Sequence, residues 1–318
     1  MNVIGIVSVL ACVLAMPALA QKYPAKPIRM IVGIAAGGGV DTGARAVAAA
    51  LFPLLGQQVV VENRVGAGGN IGAAVAADAA PDGYTLLYGE TSVLIAPSLY
   101  QKLSFDPVKS FAAVGAVGWE PLVLSVNPAL PAKSAAELIA LLKATPGKHS
   151  YGSPGIGSPH HLSMEMIRKQ AGVDIVHVPY KGAALVVPDL ISGVLSVAMM
   201  SAATTLPQAK SGKIRALAVS TSVRLPSAPD WPPLAETLPG FEAMATHFIV
   251  APVGVSAEVI GRLSDALKTA LAGEDMKRSF ASRGATAEYA PPDVLAARIR
   301  TQVQKWGTIA KESGAKLE

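Results

Sequence analysis

The chain has 318 residues, 51% of them hydrophobic, and 27 Lys and Arg against 22 Asp and Glu give it a formal net charge of +5. That length and apolar content supply material for two cores, which excludes a disordered chain. The basic residues are scattered, with no run interleaved with aromatics, which argues against a nucleic-acid partner, and the one cysteine, Cys12, excludes a disulfide framework.

Residues 3–20 form one apolar segment without a charged side chain, ending in Pro17 and then Ala18-Leu19-Ala20, an A-x-A pattern before Gln21. Residues 1–20 are therefore expected to be a secretory signal, cleaved at Ala20 and taking Cys12 with it. Its n-region lacks Lys and Arg, and retention as a short anchor is the alternative reading. Nothing downstream approaches the ~18 apolar residues of a second membrane span.

Residues 28–45 read IRMIVGIAAGGGVDTGAR. The apolar run Ile28, Met30, Ile31, Val32 and Ile34 predicts a buried strand, Gly37, Gly38 and Gly39 a bare loop, and Asp41-Thr42 the N-cap of a helix. Glycine leaves backbone N–H groups uncovered, and a helix start adds unpaired donors and partial positive charge, so the place attracts anions. Strands follow at 59–61 and 84–88, with a glycine loop at 66–69 and an Ala-rich helix over 70–80 between them. Two more strands, 111–117 and 122–126, flank Trp119-Glu120-Pro121, where the chain is expected to cross between domains.

Ser134 and Glu137 form a capping box, and the helix they open stops at Pro146-Gly147. Residues 149–162, HSYGSPGIGSPHHL, then repeat the earlier grammar: a short strand, a Gly-Ser loop, and Ser158-Pro159 opening a helix that runs to 171. A strand at 174–178 leads to Pro179-Tyr180-Lys181-Gly182 and a helix to 191. Strands at 194–200 and 214–219, a proline-rich connection over 226–239, and a return strand at 248–250 complete this part. Ser256 caps the next helix, and the remainder through Trp306 is helical with a short strand at 286–288. Strands alternating with helices predict an α/β fold built of βαβ units. A chain that leaves one domain, builds another and returns makes two crossings, and two crossings make a hinge. The expected domains are 21–122 with 246–318, and 123–245, with a ligand cleft between the two loops.

On these residues the mature chain resembles the Bug family of extracytoplasmic solute receptors. The carriers are YPAKPIRMIV (23–32), AAGGGVDTGAR (35–45), VVVENRVGAGGNIGA (59–73), APDGYTLL (80–87), SLYQKLSFDPVKSFAAV (98–114), LPAKSAAELIALLKATPGKHSY (130–151), VHVPYKG (176–182) and GKIRALAVS (212–220). The resemblance implies a two-domain periplasmic binding protein, type II-like, each domain a mostly parallel sheet flanked by helices. It implies capture of a small carboxylate-bearing or similar polar solute, a related amide included. Delivery would be to the membrane permease subunits of a tripartite tricarboxylate transporter, by a protein expected as a monomer. The two loops would act as jaws.

Several positions depart from the family pattern. Val40 stands where a hydroxyl residue is usual, Ile156 where Asn is common, His160 where Ser is common, and Val65 for Pro. Ser196 and Ser201 stand where acidic residues are common, Thr246 replaces a usual Trp, and Glu90 occupies a loop that normally carries small hydroxyls.

The candidate ligand-binding residues are therefore Gly37, Gly38, Gly39, Asp41, Glu90, Thr91, Ser153, Gly155, Ile156, Gly157, Ser158, His160, Tyr180, Lys181 and Ser201. For the glycines a tight turn is the alternative, for Asp41 a cap, for Lys181 a surface position. Glu90, if it lines the cleft, would repel a second carboxylate and favour an amide or a cation. His161 and Glu165 have the i,i+4 spacing of a metal pair but lack a third ligand, so a structural histidine is expected and no metal or cofactor. GxSxG, a P-loop and HExxH are absent, and Gly37-x-Gly39-x-x-Thr42 fails the dinucleotide fingerprint at its last position, so no catalysis is expected. A periplasmic sensor that signals to a membrane kinase would need the same closing cleft and stays open as the second reading.

Overall fold

After Pro27 the backbone enters β1 (Ile28–Val32), every residue of which but Arg29 is buried. The computed structural model describes residues 23–37, 39–180 and 182–314; the expected signal segment, Gly38 and Lys181 lie outside them. β1 is followed by α1 (Gly39–Leu55), β2 (Val59–Asn63), α2 (Asn70–Ala77), β3 (Thr85–Glu90) and a single-turn α3 (Thr91–Ile95). Consecutive residues of these strands feed different cores. Met30, Val32, Leu86 and Tyr88 pack with Val47 and Leu51 of α1, while Ile31 and Leu87 pack with Ala73, Val93 and Leu94 on the other face. Helices therefore cover both faces of the sheet, and fully buried strands read as continuous apolar runs for that reason. A buried Leu or Ile of this kind contributes roughly 1.5–3 kcal/mol.

β4 (Phe111–Val126) is 16 residues long and belongs to two sheets. Its first part, from Phe111 to Pro121, pairs with β9 (Met244–Pro252), and its last part, from Leu122 to Val126, is entered in ladders of the second domain. The expected break at Pro121 does not occur. Proline lacks only a donor, and Pro121 sits at the terminal β9 pair, opposite Met244, so the ladder is interrupted where it ends in any case.

The second domain runs α4 (Ala135–Ala144), β5 (Ser150–Ser153), α5 (Pro159–Ala171), β6 (Val176–Pro179), α6 (Ala183–Ser192), β7 (Val197–Ser201), α7 (Ala202–Lys210) and β8 (Arg215–Val219). α7 is a helix that the sequence reading does not contain; Ser201 caps it. After β9 come α8 (Ala257–Ala272), α9 (Glu274–Ala281), β10 (Thr286–Ala290) and α10 (Pro292–Ser313).

The first sheet has the order β2-β1-β3-β9-β4-β10, the second β6-β5-β7-β4-β8. Both are mixed rather than mostly parallel. β2-β1-β3 and β6-β5-β7 are parallel βαβ units, and the pairings made by the shared strand β4 and by β9 are antiparallel.

A third element joins the halves. α10 buries Leu295 and Ile299 against the first sheet, then Trp306 and Ala310 in the core built on Leu124, Tyr151 and Leu162. Ile95 and Leu99 enter that same second core. β4 and β9 with α10 across them place the carboxyl ends of the parallel strands of both domains around one crevice, the usual ligand position in open α/β sheets.

Candidate functional site

The first loop leads from β1 into α1. Asp41 is the third residue of that helix, not its N-cap, because the helix begins at Gly39. Its carboxylate, 2% exposed, reaches back to accept the Gly37 N–H at 3.0 Å and is also bound by Arg45 Nε at 3.0 Å and Asn63 Nδ2 at 2.9 Å. Burial alone would raise its pKa; the hydrogen bonds from Arg45, Gly37 and Asn63 outweigh it and hold the carboxyl below the ordinary range. Asn63 Nδ2 also donates to the Ile34 carbonyl, 2.9 Å away. Asp41 is thus a clamp on the loop, and its charge is compensated inside the domain. Gly37 is exposed at the loop tip with φ 85°, a conformation that favours glycine.

The second loop, between β5 and α5, is fastened without charge. Ser158 Oγ accepts the His161 N–H at 3.2 Å and donates to the Gly155 carbonyl at 2.8 Å. His161 Nδ1 accepts the Gly157 N–H at 3.0 Å, its ring stacks on His177 at 4.1 Å, and His177 stacks on Tyr151 at 4.7 Å. Burial, then the neighbouring His177, pushes His161 down to about 4, and burial lowers His177 as well. At neutral pH the whole stack is uncharged. Gly157, at φ 78°, is the one residue type that fits here, since a Cβ would overlap the Leu99 side chain of the first stretch. Glu165 is engaged by the Tyr151 hydroxyl at 2.7 Å and by Arg168 at 2.8 Å, so the His161 and Glu165 spacing serves the stack. Among the described residues no cluster of three His, Cys, Asp or Glu is arranged for a metal.

Several of the candidate side chains are engaged within the protein itself. Ser153 is fully buried, 2.7 Å from His177 Nε2 and 3.1 Å from the Gly155 carbonyl. Thr91 is fully buried as well, and its Oγ1 accepts the Thr246 N–H at 2.8 Å, tying α3 to β9. Ser201 Oγ caps α7 by accepting the Thr204 N–H at 3.3 Å. The Tyr180 hydroxyl donates to Asp189 of α6 at 2.5 Å. A short polar side chain beside a loop satisfies that loop's own backbone before it meets a solute. Ile156 is exposed at the tip of the second loop, while Gly38 and Lys181 lie outside the described residues.

Beside the first loop the first sheet contributes a buried polar floor. Glu90 lies in a small cavity with Gly33, Ile34, Val40, Gly69 and Tyr88. Opposite it in the β3–β9 ladder stands His247, so the two side chains share a face. Glu120 Oε2 is 3.9 Å from His247 Nε2. Glu90, Glu120 and His247 are each less than a tenth exposed. A Cβ on Gly39 would come within 3.7 Å of Glu120 Oε2, which puts the start of α1 against this carboxylate. From the other domain His160, at the start of α5, is within electrostatic reach of Glu120; its burial dominates and pushes it down to about 4. Burial likewise raises Glu90, opposed by hydrogen bonds from Ser92 and by His247.

Glu120 and His247 are absent from the sequence-based candidates. The available signal was one carboxylate, Glu120, in the middle of a strand that is otherwise apolar. Among the described residues His160 Nδ1, His247 Nδ1 and Asn70 Oδ1 are shielded from solvent and have no hydrogen-bond partner.

The family model of the tripartite tricarboxylate transporter family receptor matches residues 43–315. The chain belongs to that family. This receptor is 38% identical over 308 residues to protein BugT of Bordetella pertussis, covering 96% of this chain and 94% of the relative. It superposes on R. palustris Rpa4515 with adipate at a TM-score of 0.87 and 32% identity, over 93% of this chain and all of that one. The periplasmic binding protein BugD gives a TM-score of 0.85 and 34% identity with the same coverage. The receptor is therefore an α/β two-domain solute-binding protein by fold and by family, and no helix among its described residues is long and apolar enough to cross a membrane.

Proposed function

We propose that the protein is a periplasmic receptor that closes its cleft on a small carboxylate-bearing solute and delivers it to the permease subunits of a tripartite transporter. The observation that carries this reading is the convergence of two helix starts on one floor: Gly39 of α1 and His160 of α5 approach Glu120 from opposite domains. Each start offers main-chain donors and a partial positive charge to an anion. Gly37 and Ile156 at the exposed loop tips would close over it. The adipate held by the similar Rpa4515 supports a carboxylate as the recognised head.

The proposed domains are 21–122 with 246–318, and 123–245, hinged where β4 changes partners, and the receptor acts as a monomer without a cofactor. The engagement of Ser153, Thr91 and Ser201 by backbone speaks against a nucleophile and favours a binding rather than a catalytic role.

A thermal-shift screen of the exported protein against mono-, di- and tricarboxylates tests the reading. A ligand at 100 times its dissociation constant adds roughly 2.7 kcal/mol, an upward shift of a few degrees. No shift with any acid, amide or amine would sink it. Delivery is tested separately: cells lacking the permease subunits should bind the solute in the periplasm and fail to take it up.

A further inference from the structure

The other well-buried carboxylates of the molecule have cations. Asp41 is bound by Arg45 and Glu165 by Arg168. Among the described residues Glu90 and Glu120 are ion-paired with no lysine or arginine; the basic groups near Glu120 are two histidines, His247 at 3.9 Å and His160 within electrostatic reach. Arg283 reaches the neighbouring Tyr88 electrostatically; its Nη1 donates to Thr42 Oγ1 and its Nε to the Ser279 carbonyl, 3.0 Å from each, while its Nη2 is buried without a partner among the described residues. Two acidic side chains, both over nine-tenths buried, therefore lie beside a histidine, equally buried, whose Nδ1 has no partner.

We infer that this floor receives an N–H donor, an ammonium or an amide, at the far end of a solute whose carboxylate is held by the two loops, and that Glu90 and Glu120 exclude a second carboxylate. The inference rests on the receptor reading above and names its substrate class. Like charges a few ångströms apart in a water-poor site repel strongly. A diacid would add a third carboxylate to that floor, while an N–H donor would find acceptors in Glu90, Glu120 and a neutral His160, one of whose ring nitrogens is an acceptor. A buried acid at Glu90 is a repulsive element, and specificity is often set by repulsion.

Titration calorimetry on the protein purified from the periplasm decides it. The probes are matched four-, five- and six-carbon sets, each with a diacid, its monoamide and the ω-amino acid. In the set that fits, the amide or the amine should bind about tenfold or more tighter than the diacid, and which of the two binds tighter separates a neutral from a charged donor. Glu90→Gln, which keeps the shape and removes the charge, should bring the diacid to within about threefold of the amide. Glu120→Gln is the second variant if the first does not fold. A diacid that binds as tightly as its partners overturns the inference and leaves the receptor reading standing. Unchanged selectivity in both variants overturns the role of the two carboxylates, and no binding in any set overturns the receptor reading and the inference together.

Discussion

The two loops of the cleft follow one strand-loop-helix plan and are fastened by opposite chemistry. The first is held by a charged clamp, Asp41 between Arg45, Asn63 and the Gly37 N–H. The second is held by a neutral stack, His161 on His177 on Tyr151, with Gly157 bound to an imidazole nitrogen. A charged clamp loses its hold only below the carboxylate range. A neutral histidine stack loses it in mildly acidic solution. The two jaws of one cleft are thus stable over different pH ranges.

The largest expected effect follows from that difference. His161 and His160 sit at about 4 in the folded chain against an ordinary 6.5. Between these values the unfolded chain binds more protons than the folded one, so stability rises with pH through this window, is complete above about 6.5 and is lost as pH falls toward 4. For His161 the loss is on the order of 3 kcal/mol. Glu90 runs the other way: its raised carboxyl favours the folded state at low pH and that contribution disappears as pH rises through its folded value. Asp41, lowered, keeps its contribution throughout this window and gives it up only below the ordinary carboxylate range. Melting temperatures from pH 7 to pH 4.5 should fall, and hydrogen exchange corrected for intrinsic rate should show residues 153–161 losing protection before residues 33–41. Equal loss in both segments would erase the contrast between the jaws. His161→Ala at pH 7 should cost about 3 kcal/mol, from the emptied stack and the orphaned Gly157 N–H, and flatten part of the pH dependence.

Next in size is the clamp of the first loop. Asp41→Asn keeps the shape and removes the charge that Arg45 and the Gly37 N–H use. It should cost about 1.5–3 kcal/mol, the range of hydrogen bonds to charged groups, and read as a lower melting temperature at pH 7 with an unchanged slope between pH 6.5 and 4.5. A changed slope would mean that the clamp, not the stack, titrates in that window.

Much of this was legible in the sequence and the gaps have physical causes. Local grammar found both loops, because glycine runs, a serine cap and a proline at the first helical position are signals carried by neighbours in the chain. The same grammar misread Asp41 by three positions, since an aspartate at the third residue of a helix and one at the cap both reach back to a free N–H. Ser153 and Thr91 are candidates because a hydroxyl at a loop can face a solute or its own protein, and the structure shows the internal partners of both. The floor was out of reach for a different reason. Glu90 was found as an odd residue in its loop, but its partners His247 and Glu120 join it through the β3–β9 and β4–β9 ladders, pairings between segments more than a hundred residues apart. Trp119-Glu120-Pro121 reads as a break between two strands, but the structure has one unbroken strand there, with Glu120 buried within it.

The smallest effect gives the sharpest test of how the second loop works. Ser158 Oγ does two things, capping α5 through the His161 N–H and donating to the Gly155 carbonyl. Ser158→Ala loses both, and the cost should be about 1 kcal/mol, the usual value of a lost N-cap, with little change in affinity for a carboxylate. Ser158→Asp separates the roles. Aspartate caps as well as serine and suits the positive end of the helix, so the melting temperature should stay near that of the parent. Its negative charge, however, would stand at the helix start where the solute's own carboxylate is proposed to bind, and affinity for acids should drop about tenfold or more. Stability and binding would then move in opposite directions for the two substitutions at one atom. If the aspartate variant binds acids as the parent does, the head of the solute is not held at the start of α5, and the charged jaw, α1, carries recognition alone.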